Sequence, residues 1–486
     1  MRRAIVVGAG IGGLAVALRL ARNGWQVDVF EKSERPGGKL SEIVGKGFRF
    51  DTGPSLFTLP LLVNELLDDD LQIGIVRLPV ITRYFWSDGL MLDAHADPQE
   101  FCREAERKTG VTAQKLQVYL TEAGRLYDAI APVFIFNSLH RPFQISGGDF
   151  FRSARYLTRL KAFTTLHHHN AGATGNDRLV QLLDRYATYN GSDPYQTPAT
   201  LRVIAHLEHH LGAFLPDGGM YSIVKALIKQ GERLSVAYHF NQPVSGVTTE
   251  RGRVTGVTVA GKAIPASLVV SNSDIHRFYE HLLPNQKKLQ KIENQQMSTS
   301  ALIFYWGIRG SFPQLEVHNI FFARDYPGEF DSLFRKHTIH PDPTIYLYIS
   351  SKVFPGDAPA GCENWFVMVN APESRGQDWE ELIRSTRLRI TEKIEQILGI
   401  SLADRILFEE CLDPGAIEKR TGSWHGSLYG PSSNSRLSAF KRHPNFSGSV
   451  KGLYFTGGSV HPGGGIPLCL ASARIVATLV EKDFGK

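Results

Sequence analysis

Cysteine is scarce in this 486-residue chain. Cys102, Cys362, Cys411 and Cys469 lie too far apart in sequence for a CxxC motif. That excludes a disulfide framework and fits a reducing compartment. No uncharged apolar run reaches the length of a membrane span without glycine or proline interrupting it, so a transmembrane chain is not expected. A strong charge of one sign is also lacking. The 54 basic and 48 acidic side chains leave a net +6, too little to argue for a nucleic-acid partner. No G-x-S-x-G elbow, Walker phosphate loop or H-E-x-x-H helix occurs. No internal repeat stands out, and no Pro/Ser-rich linker separates halves, so interleaved domains are expected. Met1-Arg2-Arg3 runs straight into an apolar strand. This leaves no room for a signal peptide, and the cytoplasm is the expected location.

Glycine, by contrast, is plentiful at 46 residues, with clusters near both ends. Ala4 to Val7 reads as a buried parallel strand. Gly8, Gly10 and Gly13 then fit G-x-G-x-x-G, Leu14 to Asn23 reads as a helix, and Trp25 to Phe30 as a second strand ending at Glu31. Each part has a physical reason. Gly8 permits the turn, Gly10 lets backbone approach a pyrophosphate, and Gly13 lets helix and strand pack closely. Free amides at the helix start face phosphate, and Glu31 accepts from the ribose hydroxyls. NAD and FAD would use this unit alike. The following Gly37-Gly38-Lys39 and Asp51-Thr52-Gly53-Pro54-Ser55 favour a flavin dinucleotide extended across the domain, with Lys39 in reach of its pyrophosphate. Near the other end, Leu453 to Gly458 reads as a strand with a glycine turn. Gly463-Gly464-Gly465 then precedes a helix over Leu468 to Val480. That helix start would bring positive dipole to the flavin pyrimidine edge.

These motifs, with Val270-Ser271-Asn272-Ser273-Asp274, Tyr186 to Pro194 and Pro216-Asp217-Gly218-Gly219-Met220, resemble the carotenoid desaturase family of phytoene-desaturase-like flavoproteins. Phe50 to Thr58 and Gly457 to His461 look most like the late-acting desaturases, which introduce the 3,4 double bond into 1-hydroxylated carotenoids. The resemblance implies non-covalent FAD, a long apolar polyene substrate drawn from the bilayer, and peripheral association with the membrane surface. The electron acceptor would be oxygen or a quinone. The implied fold is α/β in amine-oxidase-like flavoprotein architecture. A Rossmann-type FAD-binding domain (1–73, 216–290, 425–486) is interleaved with a mixed-sheet substrate domain (74–96, 291–424) and a helical membrane-facing cap (97–215). Cofactor binding falls to Gly8, Gly10, Ile11, Gly12, Gly13, Glu31 and Lys32, and to Gly38, Lys39, Gly53, Pro54 and Ser55. It also falls to Val244 through its backbone, and to Asn272, Gly457, Gly458, Gly465, Ile466 and Pro467.

The middle of the chain supplies the rest. Strand-like runs occur at Gly74 to Tyr84, Leu90 to His95, Ser300 to Ile308, Asn319 to Ala323, Thr344 to Ser350 and Trp365 to Val369, with a covering helix over Glu380 to Gly399. Ala129 to Phe163 combines apolar bulk with a basic fringe, as an interfacial segment or a helical cap over the core would. Within it, Asp149 and Arg152 form the candidate catalytic pair, a carboxylate to stabilise the cation left by hydride loss. The same spacing also suits a plain surface ion pair. His167 to His169 and His206, His209, His210 are weighed as metal ligands and read as structural or tunnel-lining, so no metal is expected. Alternatives to a 3,4-desaturase are a phytoene-type desaturase, a carotenoid cis–trans isomerase and, against the intact flavin motifs, a non-catalytic prenyl-binding protein.

Overall fold

Ala4, Ile5, Val6 and Val7 are all buried, so their strand needs apolar contact on both faces. In the computed structural model, which describes residues 2–142, 145–148, 153 and 163–485, Arg3–Val7 is the middle strand of a five-stranded parallel sheet. The order is Leu453–Phe455, Leu268–Ser271, Arg3–Val7, Gln26–Phe30, Ala237–His239. Strands from the start, middle and end of the chain thus share one sheet. Alternation divides its faces. Ala4 and Val6 pack with Leu14, Leu18, Leu470 and Val476 of helices Ile11–Arg22 and Ile466–Phe484. Ile5 and Val7 pack with Val254, Val257 and Phe278, beneath a three-stranded antiparallel sheet.

A second sheet has seven strands. Its order is Ile406–Leu412, Ser300–Arg309, Cys362–Ala371, Ile345–Tyr348, His318–Phe321, Val80–Phe85, Met91–His95. It is mixed: only His318–Phe321 and Val80–Phe85 run parallel. Leu302, Phe304 and Trp306 share a core with Ile390 and Ile394 of helix Trp379–Leu398. Ile303 and Tyr305 point the other way, toward Phe48 and Phe50.

Two details differ from the sequence reading. Gly74 to Tyr84 is not one strand. Ile75–Arg77 pairs with Phe214–Pro216, and the chain changes sheet at Leu78-Pro79, where proline offers no ladder donor. Ile406–Leu412, not expected as a strand, forms an edge whose half-exposed and exposed side chains leave no apolar alternation to read.

Asp28 ties the parallel sheet across three strands. It accepts from Arg3 Nε at 2.8 Å and pairs with His239 Nε2 at 2.9 Å. Burial works to raise its carboxyl, but the bonds to Arg3 and His239 outweigh it and hold the group below its usual range. Its contribution is complete above the unfolded carboxylate value and is lost as pH falls through the lowered one. Asp28→Asn should therefore cost about 1 kcal/mol in urea unfolding at neutral pH. The deficit should shrink in acid. An equal deficit at both pH values would contradict this role.

Candidate active site

The two sheets and the helical segments enclose one large cavity of about 1430 Å³. The parallel-sheet side brings the glycine turn and Glu31 to its wall, and the seven-stranded sheet brings Ile303, Ile320, Tyr346 and Phe366. Helical segments add Ile130, Phe134, Ile204 and Leu207. Every residue expected around the cofactor lines this cavity except Gly13. Gly13 lies beneath the wall, where a Cβ would stand 2.1 Å from Gly8 O. That is the close helix–strand contact expected of the third glycine.

The turn is held by backbone. Gly8 N donates to Phe30 O at 2.7 Å, and Gly8 has φ +98°. Helix Ile11–Arg22 begins at Gly10 with no side-chain cap, so its first amides have no partner from that residue. The helix starting at Ile466 has the same uncapped glycine, Gly465, before it. Asn272 sits between the glycine clusters. A Cβ on Gly10 would lie 2.7 Å from its Nδ2, and one on Gly12 or Gly457 would lie 2.8 Å from its Oδ1.

Glu31 is buried, and its two oxygens are held by different amides. Oε2 accepts from Ala9 N at 2.8 Å and Oε1 from Ser33 N at 2.9 Å. Each oxygen keeps a free lone pair, which fits a vicinal diol. The bare glycine cradle, the uncapped helix and the fixed carboxylate together suit a dinucleotide. Lys39 lines the cavity, and its Nζ donates to Leu428 O at 2.5 Å and Ser427 O at 3.2 Å. Burial pushes its ammonium down to about 8 against the pull of Asp274.

The Asp51 and Gly219 motifs prove to be one structural unit. Asp51 Oδ1 accepts from Arg49 Nη2 at 2.7 Å and Met220 N at 3.0 Å. A Cβ on Gly219 would meet the Arg49 guanidinium at 2.0 Å. Asp149 and Arg152 lie outside the described residues. Among the described residues no cluster of three His, Cys, Asp or Glu is placed to hold a metal. His209 instead stacks on Phe101 and bonds Tyr186 Oη at 2.7 Å.

Sequence reasoning missed His318, Tyr346 and Arg185 on the cavity wall. No local motif marks them, because separate strands and turns bring them together. It also missed the exposed Leu437 (56% exposed) and Phe440 (53%) beside the cavity, which join the exposed Phe163 (81%), the last residue of the segment read as interfacial or capping.

Residues 11–480 match the flavin-containing amine oxidoreductase family. The chain is 42% identical over 484 residues to a 1-hydroxycarotenoid 3,4-desaturase of Flavobacterium sp. (strain P99-3), covering 99% of both. It is 31% identical to a 4,4'-diapolycopene oxygenase of Methylomonas sp., again over 99% of each. The fold matches cyclohexylamine oxidase of Brevibacterium oxydans IH-35A at a TM-score of 0.62 and 14% identity, over the whole of both chains. Gly13→Ala tests the cradle: the forced contact with Gly8 O should lower thermal stability and strip the visible flavin absorbance from the purified protein. Full flavin content would contradict it. The chain belongs to the flavin-containing amine oxidoreductase family, in its carotenoid-desaturase branch, and is a flavin-dependent oxidoreductase.

Proposed function

We propose that the protein is an FAD-dependent carotenoid desaturase that introduces the 3,4 double bond of a 1-hydroxylated carotenoid. One observation carries this reading beyond the relatives' names. A single cavity of about 1430 Å³ joins the glycine cradle to an apolar wall. It exceeds the roughly 300–1,000 Å³ of an ordinary small-ligand pocket, leaving room for a dinucleotide and part of a polyene.

The roles divide as follows. Segments 1–73, 216–290 and 425–486 hold the cofactor, and segments 74–96 and 291–424 wall the substrate. The amides from Gly8 to Gly12, with Ile11 at the helix start, and the Gly38-Lys39 loop surround the diphosphate. Glu31 and Lys32 hold the ribose, and Val244 meets the adenine through backbone. Asn272 and Gly457 back the diphosphate turn, and Gly53, Pro54, Ser55, Gly458, Gly465, Ile466 and Pro467 enclose the ring system. Bound FAD supplies the hydride acceptor. The chain's own task is to seat the allylic carbons against that ring and exclude water. Gly464 and Gly465 bring no side chain to their part of the wall, so an apolar chain can approach closely. Ile303, Phe366 and Met368 face the same space. Asp149 with Arg152 remains the candidate for stabilising the positive charge that hydride loss leaves.

The exposed Phe163, Leu437 and Phe440 beside the cavity supply a surface for membrane contact. Arg436 stands 5.3 Å from the Phe163 ring, and Lys441 follows Phe440. Aromatic and aliphatic tips beside basic residues suit an anionic bilayer surface. The segment would admit substrate from the lipid, with oxygen or a quinone as final acceptor. No helix among the described residues is long and apolar enough to cross a membrane.

Liposomes carrying a 1-hydroxylated carotenoid test the activity. FAD-dependent conversion should lengthen the chromophore, shift its absorption to the red and remove two hydrogens from the product mass. An unchanged mass with a changed isomer, or a gain of oxygen, would contradict desaturation. Leu437→Ser combined with Phe440→Ser should weaken sedimentation with anionic liposomes about tenfold while leaving flavin content unchanged. Undiminished sedimentation would remove this surface from membrane binding.

A further inference from the structure

The apolar wall of the seven-stranded sheet is interrupted at His318. This residue opens strand His318–Phe321, is 1% exposed and lines the cavity two residues before Ile320. Its ring is fixed from several sides. It stacks on Tyr348 at 5.0 Å between centroids, and its Nδ1 lies 2.8 Å from Tyr346 Oη. Tyr346 Oη in turn lies 2.6 Å from Ser55 Oγ. The other ring nitrogen, Nε2, is buried without a hydrogen-bond partner. A second such atom, Nε of the buried Arg185, belongs to another residue on the same cavity wall, while Arg185 Nη2 is engaged by Tyr84 at 2.6 Å and Glu208 at 3.1 Å. Buried polar atoms are ordinarily satisfied, so an open one in a residue that lines a cavity is a candidate partner for a ligand's polar atom.

The protons can be counted. Burial, reinforced by the charge of Arg185, pushes the His318 ring down to about 3, so it is neutral at physiological pH. Suppose Nδ1 accepts from Tyr346. Then Tyr346 accepts from Ser55, and Nε2 carries a hydrogen that it presents as a donor. Suppose instead that Nδ1 donates to Tyr346. Then the chain reverses, and Nε2 presents a lone pair. A hydroxyl group, donor and acceptor at once, satisfies either arrangement.

Resting on the desaturase reading above, we propose that His318 Nε2 hydrogen-bonds the C1 hydroxyl of the carotenoid, selecting a hydroxylated end group. Tyr346 and Ser55 are positioning residues that fix the ring. The placement suits the chemistry. A C1 hydroxyl stands only two carbons from C3, so the group that reads it must lie beside the reacting carbons. Ser55 joins the His318 chain directly to the Gly53-Pro54-Ser55 loop assigned to the flavin.

Specificity constants for a 1-hydroxylated carotenoid and its 1-deoxy counterpart test this in the flavin-loaded protein on liposomes. The parent protein should prefer the hydroxylated pigment roughly 10- to 100-fold. His318→Leu should erase that preference through the hydroxylated pigment alone, chiefly in KM. His318→Gln, which keeps a donor and an acceptor, should restore part of it, and Tyr346→Phe should weaken it while leaving His318 in place. Equal losses on both pigments, or an undiminished ratio in His318→Leu, would overturn the proposal. Binding of each pigment, read as quenching of protein fluorescence, separates the two claims. A binding preference that His318→Leu removes, with no desaturation in the parent protein, would sink the reaction and leave His318 as the hydroxyl reader. No binding preference in the parent protein would sink the hydroxyl reader, whatever the reaction.

Discussion

Asn272 is the point on which the architecture closes. Its carboxamide lies against Gly10 and Gly12 from the first turn and Gly457 from the last. Side chains there would occupy its space, with a Cβ on Gly10, Gly12 or Gly457 falling within 2.8 Å of the amide. Backbone pairing joins the three segments in one parallel sheet, and glycine with a short amide lets their turns meet at its edge. That junction keeps the cavity wall free of side chains where a dinucleotide must approach.

The seven-stranded sheet solves a different problem. Its cavity face must be apolar enough for a polyene yet carry polar atoms where an end group needs them. Period-two alternation achieves both. Leu302, Phe304 and Trp306 build the core under the covering helix, while Ile303 lines the cavity and Tyr305 packs with Phe48 and Phe50. On that face His318, Tyr346 and Ser55 are bound to one another, which offsets part of their desolvation, while His318 Nε2 and Tyr348 Oη are left open.

The legibility of the sequence follows the same division. The strand, glycine turn, helix and Glu31 are consecutive, so local pattern exposes them and their spacing carries their geometry. The glycine run before Ile466 is equally local. Asn272 stands out by family resemblance, but its reason appears only when Gly12 and Gly457 are seen against it. The Arg49–Asp51 pairing with Met220 joins two motifs whose partnership no spacing reveals. His318, Arg185 and Tyr346 have no signature at all. Strand order and register bring them together, and both are products of the whole fold. Ile406–Leu412 was hidden for the opposite reason: an edge strand without a buried face loses the alternation that betrays a strand.

The central claim is that one cavity seats flavin and polyene in contact, so that electrons leave the pigment directly for the ring. Anaerobic single-turnover mixing of the flavin-loaded protein with a 1-hydroxylated carotenoid tests it most directly. Loss of oxidised-flavin absorbance and the red shift of the pigment should proceed with one shared rate constant and in equal amounts. Pigment conversion while the flavin stays oxidised, or flavin reduction without lengthening of the chromophore, would contradict the account.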